Sequence, residues 1–209
     1  MSPITAAAVL IIPSFVTNVW QMLSGQGALK IIHRLWSMML CIVIGTLLGA
    51  KLLAQVDPVW SSRGLGVALI AYVIYAFIVP KFSVPRQLES MLSPITGLVT
   101  GLLTGATGVF TLPALPYLQS LGLDKDELVQ ALGLSFTVST IALAAGLWTQ
   151  SAFNINQLGI STLAIIPSLL GMWGGSLIRA KISQQSFRRW FLIFLLCIGI
   201  ELIVRTSAG

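Results

Sequence analysis

The sequence predicts an all-α membrane protein whose helices cross the bilayer several times. Of its 209 residues, 56% are hydrophobic and only 9% are charged, with a mean hydropathy of +0.93. Soluble domains carry about 25% charged residues. Two long intervals, 90–123 and 128–178, contain no charge at all. This composition excludes a soluble enzyme, a disordered chain and a nucleic-acid-binding domain, although Lys and Arg outnumber Asp and Glu by 12 to 6.

Apolar intervals between charged residues give six ordinary spans, since a membrane helix needs about 20 mostly apolar residues. The spans cover about residues 4–23, 35–53, 64–79, 128–149, 155–178 and 190–204. Tryptophans lie near several span ends, where their rings favour the headgroup region. The N-terminus has no basic region and no cleavage site typical of a signal peptide. We therefore expect one transmembrane domain over residues 1–209.

A seventh segment, residues 91–123, is too long for one straight helix. It is interrupted by Thr104–Gly108 and then by Pro113 and Pro116. Either it crosses once as a broken helix, or it enters the membrane and returns on the same side. Return would place Lys30, Arg34, Lys81 and Arg86 on the side of the basic residues at 179–189. The positive-inside rule therefore favours return, with six full crossings and about seven membrane segments.

An internal repeat divides the chain into two related halves. Gly45–Lys51 resembles Gly171–Ser176, and each stretch lies in the second helix of a run of three. We expect half-repeats over 1–80 and 91–209, joined by a loop over 81–90. Inverted repeats are typical of secondary transporters, with the substrate bound between them. The first half lacks a counterpart of the glycine-rich segment, which indicates either a lost opening segment or a reading frame that starts late.

The break in the seventh segment is the predicted substrate site. Its glycines expose backbone amides beside two hydroxyls, which suits a small anion, and broken helices form such sites in transporters. Polar side chains inside a membrane are costly and usually point inward. The predicted substrate-binding residues are Thr104, Gly105, Thr107, Gly108 and Pro113 in the break, Asn18 and Gln21 in the first span, and Ser135 and Thr137 in the span over 128–149.

Each of these groups has a second interpretation. The glycines can permit close helix packing, and Asn18 and Gln21 can hydrogen-bond to neighbouring helices. Ser and Thr hydroxyls can donate to the carbonyl four residues earlier in their own helix. Packing and internal hydrogen bonding therefore stay open beside substrate binding.

The sequence indicates no catalytic, metal or cofactor site. Asp124–Glu127 is typical of a helix cap, whereas a membrane prenyltransferase needs two acid-rich motifs. His33 has no partner for a triad or a metal. Cys41 and Cys197 lie in apolar runs, where a thiol acts as a small hydrophobe. We therefore expect neither an enzyme nor a cofactor-binding protein.

With these residues identified, the chain resembles the TauE/SafE sulfite exporter family. The resemblance is clearest over 93–148, and the glycine pattern of the two half-repeats extends it over nearly the whole chain. The matching residues are Gly97, Gly101, Gly105 and Gly108, then Pro113 and Pro116, then Ala131–Ser135, with the echoes Gly45–Ala50 and Gly171–Ser176. Relative to the family's eight or so segments, we expect this sequence to lack the opening segment of the first repeat.

The resemblance implies a transporter for a small anion, such as sulfite, a sulfonate or an organic acid, in a bacterial inner membrane. Its partners would be that anion and the lipid bilayer, with no nucleic acid and with a homo-oligomer left open. The alternative is a truncated or accessory membrane subunit that does not transport by itself.

Overall fold

The computed structural model describes residues 3–25, 27–55, 58–78, 83–149, 156–181 and 184–207. Every regular element in these residues is an α-helix, which confirms the predicted fold class. The helices are α1 (Pro3–Leu23), α2 (Ala28–Gln55), α3 (Pro58–Ile78), α4 (Arg86–Thr107), α5 (Ala114–Ser120), α6 (Lys125–Thr149), α7 (Asn156–Leu163), α8 (Ile165–Lys181) and α9 (Gln184–Ser207).

Several helices extend beyond the predicted spans, and one predicted span is divided. α2 begins seven residues earlier than expected, because its first turns carry Lys30 and Arg34 as partners of two carboxylates rather than as loop residues. The helix predicted over 155–178 is interrupted at Ala164, a turn residue that separates α7 from α8. Pro167 has no N–H to donate to the Leu163 carbonyl, so the hydrogen-bond ladder is broken at the end of α7.

The segment over 91–123 returns to the end of the bundle at which it starts. The Val84 N–H donates to the Ser120 carbonyl at 2.9 Å. Deeper in, the Ser93 and Tyr117 hydroxyls share a hydrogen bond of 2.6 Å. We call the unit formed by α4, α5 and the intervening break, Gly108–Pro113, the hairpin. The course of the chain is therefore the returning one that the loop charges favoured.

The helices alternate in direction, which gives the bundle two ends. We name them the Lys30 end and the Lys51 end. Eight of the twelve Lys and Arg residues lie in helix termini at the Lys30 end: Lys30, Arg34, Arg86, Lys125, Arg179, Lys181, Arg188 and Arg189. At the Lys51 end, the described helices carry Lys51, Arg63 and Arg205. The positive-inside rule predicts that the Lys30 end faces the cytoplasm.

Glycines hold α2 and α4 in backbone contact. A Cβ on Gly101 of α4 would lie 2.7 Å from the Thr46 nitrogen and 2.9 Å from the Gly45 Cα, and it would overlap the Ile42 carbonyl. Gly97 and Gly105 approach α2 in the same way, as Gly45 and Gly49 approach α4. This is the small-residue packing by which membrane helices associate. By contrast, a Cβ on Gly171, Gly174 or Gly175 of α8 would have nothing within 4 Å.

Two pairs of helices that correspond in the predicted half-repeats pack against each other, α1 with α6 and α3 with α9. α1 packs on α6, where a Cβ on Gly133 would approach the Asn18 carbonyl. α3 packs on α9, where Gly66 meets Gly199 and Val73 lies in one cluster with Leu192. The division into two half-repeats stays a prediction.

The outer surface of the bundle is apolar, as a lipid-facing surface must be. Exposed side chains there include Leu29, Trp148, Trp173 and Trp190. Two helical stretches, Ala28–Lys51 and Asp126–Thr149, are long and apolar enough to cross a membrane, and shorter apolar stretches lie in α1, α8 and α9. The number of crossings therefore stays a prediction.

Candidate functional site

A cavity of about 220 Å³ lies where the break in the hairpin meets α1 and α6. We call it the break cavity. Its lining consists of Leu10, Ile11 and Ser14 from α1, Gly108, Val109, Phe110 and Thr111 from the break, and Thr140 and Leu143 from α6. It thus lies between a helix of the first predicted half-repeat and two elements of the second. No charged residue of the described chain lines it.

The shape of the break depends on Gly108 and two threonines. Gly108 has φ of 75°, which only glycine adopts at little cost, and its N–H donates to the Thr104 carbonyl at 2.7 Å. The Thr107 hydroxyl donates to the Leu103 carbonyl at 2.6 Å and accepts from the Val109 N–H at 3.2 Å. The two threonine hydroxyls predicted to bind substrate are thus engaged with the backbone, since that of Thr104 also donates to the Val109 carbonyl at 3.4 Å.

Other donors of the break cavity have no partner. Among the described residues, none accepts a hydrogen bond from the Phe110 or Thr111 N–H, or from the Ser14 or Thr111 hydroxyl. The Thr140 hydroxyl differs, because it donates to the Phe136 carbonyl at 2.7 Å and so offers the cavity only an acceptor. Consecutive free N–H groups form concavities that bind anions. Residues with unpaired donors therefore line the cavity on two sides, in α1 and in the break, among apolar residues.

Of the predicted binding residues, only Gly108 lines the break cavity. Gly105 packs against the α2 backbone, where a Cβ would overlap the Thr46 carbonyl. Pro113 lies on the opposite side of the break and lines a different cavity. For Gly105, the structure thus shows the packing that was the second interpretation. Substrate binding by these residues stays a prediction.

The polar residues of α1 lie beyond the cavity. Asn18 is one turn from Ser14 and 5% exposed, and its Nδ2 has no hydrogen-bond partner. Gln21 is half-buried, and its backbone is packed against Gly133. Neither side chain lines the cavity, but the Asn18 amide is a free donor close to it along α1.

The hydroxyls of α6 divide into two kinds. Thr137 donates to the Gly133 carbonyl at 2.6 Å, which is the internal bonding weighed as its alternative. Ser135 is fully buried, and its hydroxyl has no partner. The same holds for the Ser139 hydroxyl on α6, the Thr46 hydroxyl on α2 and the Thr100 hydroxyl on α4. Unpaired polar groups are costly at membrane depth, and these four hydroxyls therefore differ from that of Thr137, which is paired within its own helix.

Sequence reasoning did not select three polar residues that line the cavity: Ser14, Thr111 and Thr140. Ser14 precedes Asn18 by one helical turn, so helical spacing placed both on one face of α1. Thr111 lies inside the glycine-rich stretch that was singled out. The missing information was which turn of α1 meets the break.

The described residues contain no group of three or more His, Cys, Asp and Glu side chains that could hold a metal ion. The family model described as sulfite exporter TauE/SafE matches residues 1–202 of the 209-residue chain. No curated protein and no solved structure matches the chain.

Proposed function

The chain belongs to the TauE/SafE sulfite exporter family of membrane transporters, and on that basis we propose that it moves a small anion through the break cavity. The anion would be sulfite, a sulfonate or an organic acid, and the membrane a bacterial inner membrane. The family assignment does not favour the alternative of an accessory subunit without transport activity.

The observation that supports this proposal is the set of unpaired donors around the cavity. Two N–H groups and one hydroxyl come from Phe110 and Thr111 of the break, and a second hydroxyl comes from Ser14 of α1. An oxyanion accepts hydrogen bonds at each oxygen, and bonds to a charged group are stronger than neutral ones. No carboxylate of the described chain lines the cavity to repel the anion.

The apolar lining contributes by excluding water. Leu10, Ile11 and Leu143 surround the donors, and low polarity strengthens each hydrogen bond to a charge. Neutral donors also hold the anion less tightly than Arg or Lys would, so it can leave again. We assign Asn18 as the next contact, because its free amide lies one turn further along α1.

Gly108, Thr104 and Thr107 have an indirect role in this proposal. Gly108 supplies the left-handed turn, and the threonine hydroxyls hold the backbone that directs the Phe110 and Thr111 amides. Larger residues at Gly108 would distort the break, and larger residues at Gly105 would push α4 away from α2. Substitutions of these glycines therefore cannot separate binding from folding.

Flux into proteoliposomes tests the proposal with variants that conserve shape. Labelled sulfite, taurine-like sulfonates and small carboxylates would be compared for the natural chain and for Thr111→Val. One lost hydrogen bond to a charged group should raise KM about tenfold to a hundredfold. Thr149→Val is the matched control, because Thr149 is an exposed residue of α6 whose hydroxyl donates only to its own helix.

The two variants separate the outcomes. Saturable flux with a raised KM in Thr111→Val and an unchanged KM in Thr149→Val supports the proposal. Equal KM in both variants would remove the break cavity from the transport path. Absence of flux for every anion, from folded protein, would contradict anion transport by this chain.

A further inference from the structure

A second cavity of about 480 Å³ lies on the other side of the break, between α3 and the hairpin. We call it the α3 groove. Four of its lining residues, Leu92, Thr96, Val99 and Leu103, follow one face of α4. With a rise of 1.5 Å per residue, this face extends for about 16 Å. The groove is therefore elongated along the helix axis, and the exposed Val99 marks its opening to the outer surface.

The α3 groove does not suit the anion proposed for the break cavity. No Lys, Arg, Asp or Glu of the described chain lines it. The Tyr117 hydroxyl is already bonded to Ser93, and the Ser120 hydroxyl donates to the Tyr117 carbonyl at 2.6 Å. The groove thus offers few free polar groups, and its occupant should be largely apolar.

The course of the groove suits a lipid acyl chain. It opens to the apolar outer surface at Val99, where lipid is the molecule that meets it. Its length of about 16 Å along one face of α4 accommodates a segment of an extended acyl chain.

A basic residue follows the segment that lines the Lys30 end of the groove. Val84 lines the groove at the Lys30 end, and Arg86 follows two residues later at the start of α4. The Arg86 side chain is exposed and forms no ion pair with the described residues. The nearest acid along α4, Glu89, is held by Arg34 through hydrogen bonds of 2.6 and 2.9 Å. Arg86 is thus free to meet a phosphate.

We infer that the α3 groove binds an anionic phospholipid, with one acyl chain along Leu92–Leu103 and the headgroup phosphate at Arg86. The acyl chain would reach Leu112 and Pro113, which line the groove at the back of the break. A bound lipid would therefore support the break from the side opposite the break cavity. This site does not depend on the identity of the transported anion, or on transport itself.

Native mass spectrometry of the full chain in mild detergent tests the headgroup contact. Phosphatidylglycerol and phosphatidylcholine would be titrated against the natural chain, Arg86→Gln and Arg189→Gln. A basic residue near anionic headgroups contributes enough for about a fivefold change in affinity. We expect Arg86→Gln to weaken phosphatidylglycerol binding about fivefold, with Arg189→Gln unchanged as an exposed control at the same end. Equal affinity for the two lipids, or equal effects of the two variants, would overturn the inference.

Photolabelling tests the acyl-chain contact in the natural chain. Phosphatidylglycerol that carries a diazirine in the middle of its acyl chain should label the protein in α3 around Ala71 and in α4 around Thr96. Unlabelled phosphatidylglycerol should reduce this labelling by competing for the groove. Ala71→Phe would fill the groove and should abolish this competed labelling. If that variant does not fold, labelling of the natural chain still decides. Labelling that is confined to α8 and α9, or that phosphatidylglycerol does not displace, would overturn the inference.

Discussion

Replacing Gly101 by alanine should destabilise the protein far more than the same change at Gly171. Both glycines lie inside helices of a membrane bundle, so the chemical change is identical. A Cβ on Gly101 would meet backbone atoms of α2 at 2.7 and 2.9 Å. Backbone atoms cannot move away by a rotamer change, so α2 and α4 must separate. A Cβ on Gly171 would meet nothing within 4 Å.

The magnitudes follow from these distances. Restoring ordinary contact at Gly101 needs a separation approaching 1 Å, and a gap of 0.5–1 Å forfeits about a quarter to a half of the dispersion energy of the atoms affected. Overpacking of a dense interior costs about 1–3 kcal/mol. At Gly171 the change should instead stabilise by up to about 1 kcal/mol, because alanine is the better helix former. The same helix-propensity gain applies at Gly101, so the two variants should differ by about 1–3 kcal/mol.

Reversible unfolding in mixed micelles, followed by circular dichroism, measures this difference. Gly45→Ala provides a second test from the α2 side, because its Cβ would overlap the Leu98 carbonyl. We expect Gly45→Ala and Gly101→Ala to lower the free energy of unfolding and Gly171→Ala to leave it equal or higher. If Gly101→Ala and Gly171→Ala were equally stable, the backbone contact between α2 and α4 would be refuted.

Three further predictions concern polar side chains. Glu89→Ala should lower the free energy of unfolding by about 2 kcal/mol, because it removes two charged hydrogen bonds in a half-buried pair. Lys30→Ala should change it by less than about 1 kcal/mol, because Lys30 is 76% exposed. Equal effects of the two variants in unfolding measurements would contradict this prediction. Gln130→Leu should speed hydrogen exchange at the Gly27 amide, because that amide donates to the Gln130 side chain at 3.2 Å. An unchanged exchange rate would show that this hydrogen bond does not hold the turn between α1 and α2. Asn18→Leu should preserve or raise stability, because it removes an unpaired buried amide, while lowering flux in proteoliposomes; unchanged flux would exclude Asn18 from the transport path.

The helical class and the course of the hairpin were predictable because they depend on composition and charge over many residues, and not on single contacts. A long uncharged interval with glycines and prolines predicts a broken segment, and the distribution of loop charges favoured its return. The boundary of α2 was less predictable, since charged residues were treated as the ends of spans. Arg34 is instead retained within the helix because Glu89 neutralises it.

The roles of the glycines could not be predicted in the same way. Gly45–Lys51 and Gly171–Ser176 look alike in the sequence, yet a Cβ at Gly45 would overlap α4 and one at Gly171 would have open space. A glycine's role depends on which backbone approaches it, and that is a property of the assembled bundle. For the same reason, the sequence indicated the break but not Ser14, whose importance depends on which turn of α1 lies beside the break.

Protection of a cysteine at position 14 tests most directly whether the break cavity binds the transported anion. Ser14→Cys would be made with Cys41 and Cys197 replaced by alanine, and the rate of its alkylation would be measured with and without a transported sulfonate or carboxylate. We predict that the anion slows the reaction with the concentration dependence of transport, while a cysteine at the exposed position 90 reacts at an unchanged rate. An alkylation rate at position 14 that no transported anion alters would contradict the account.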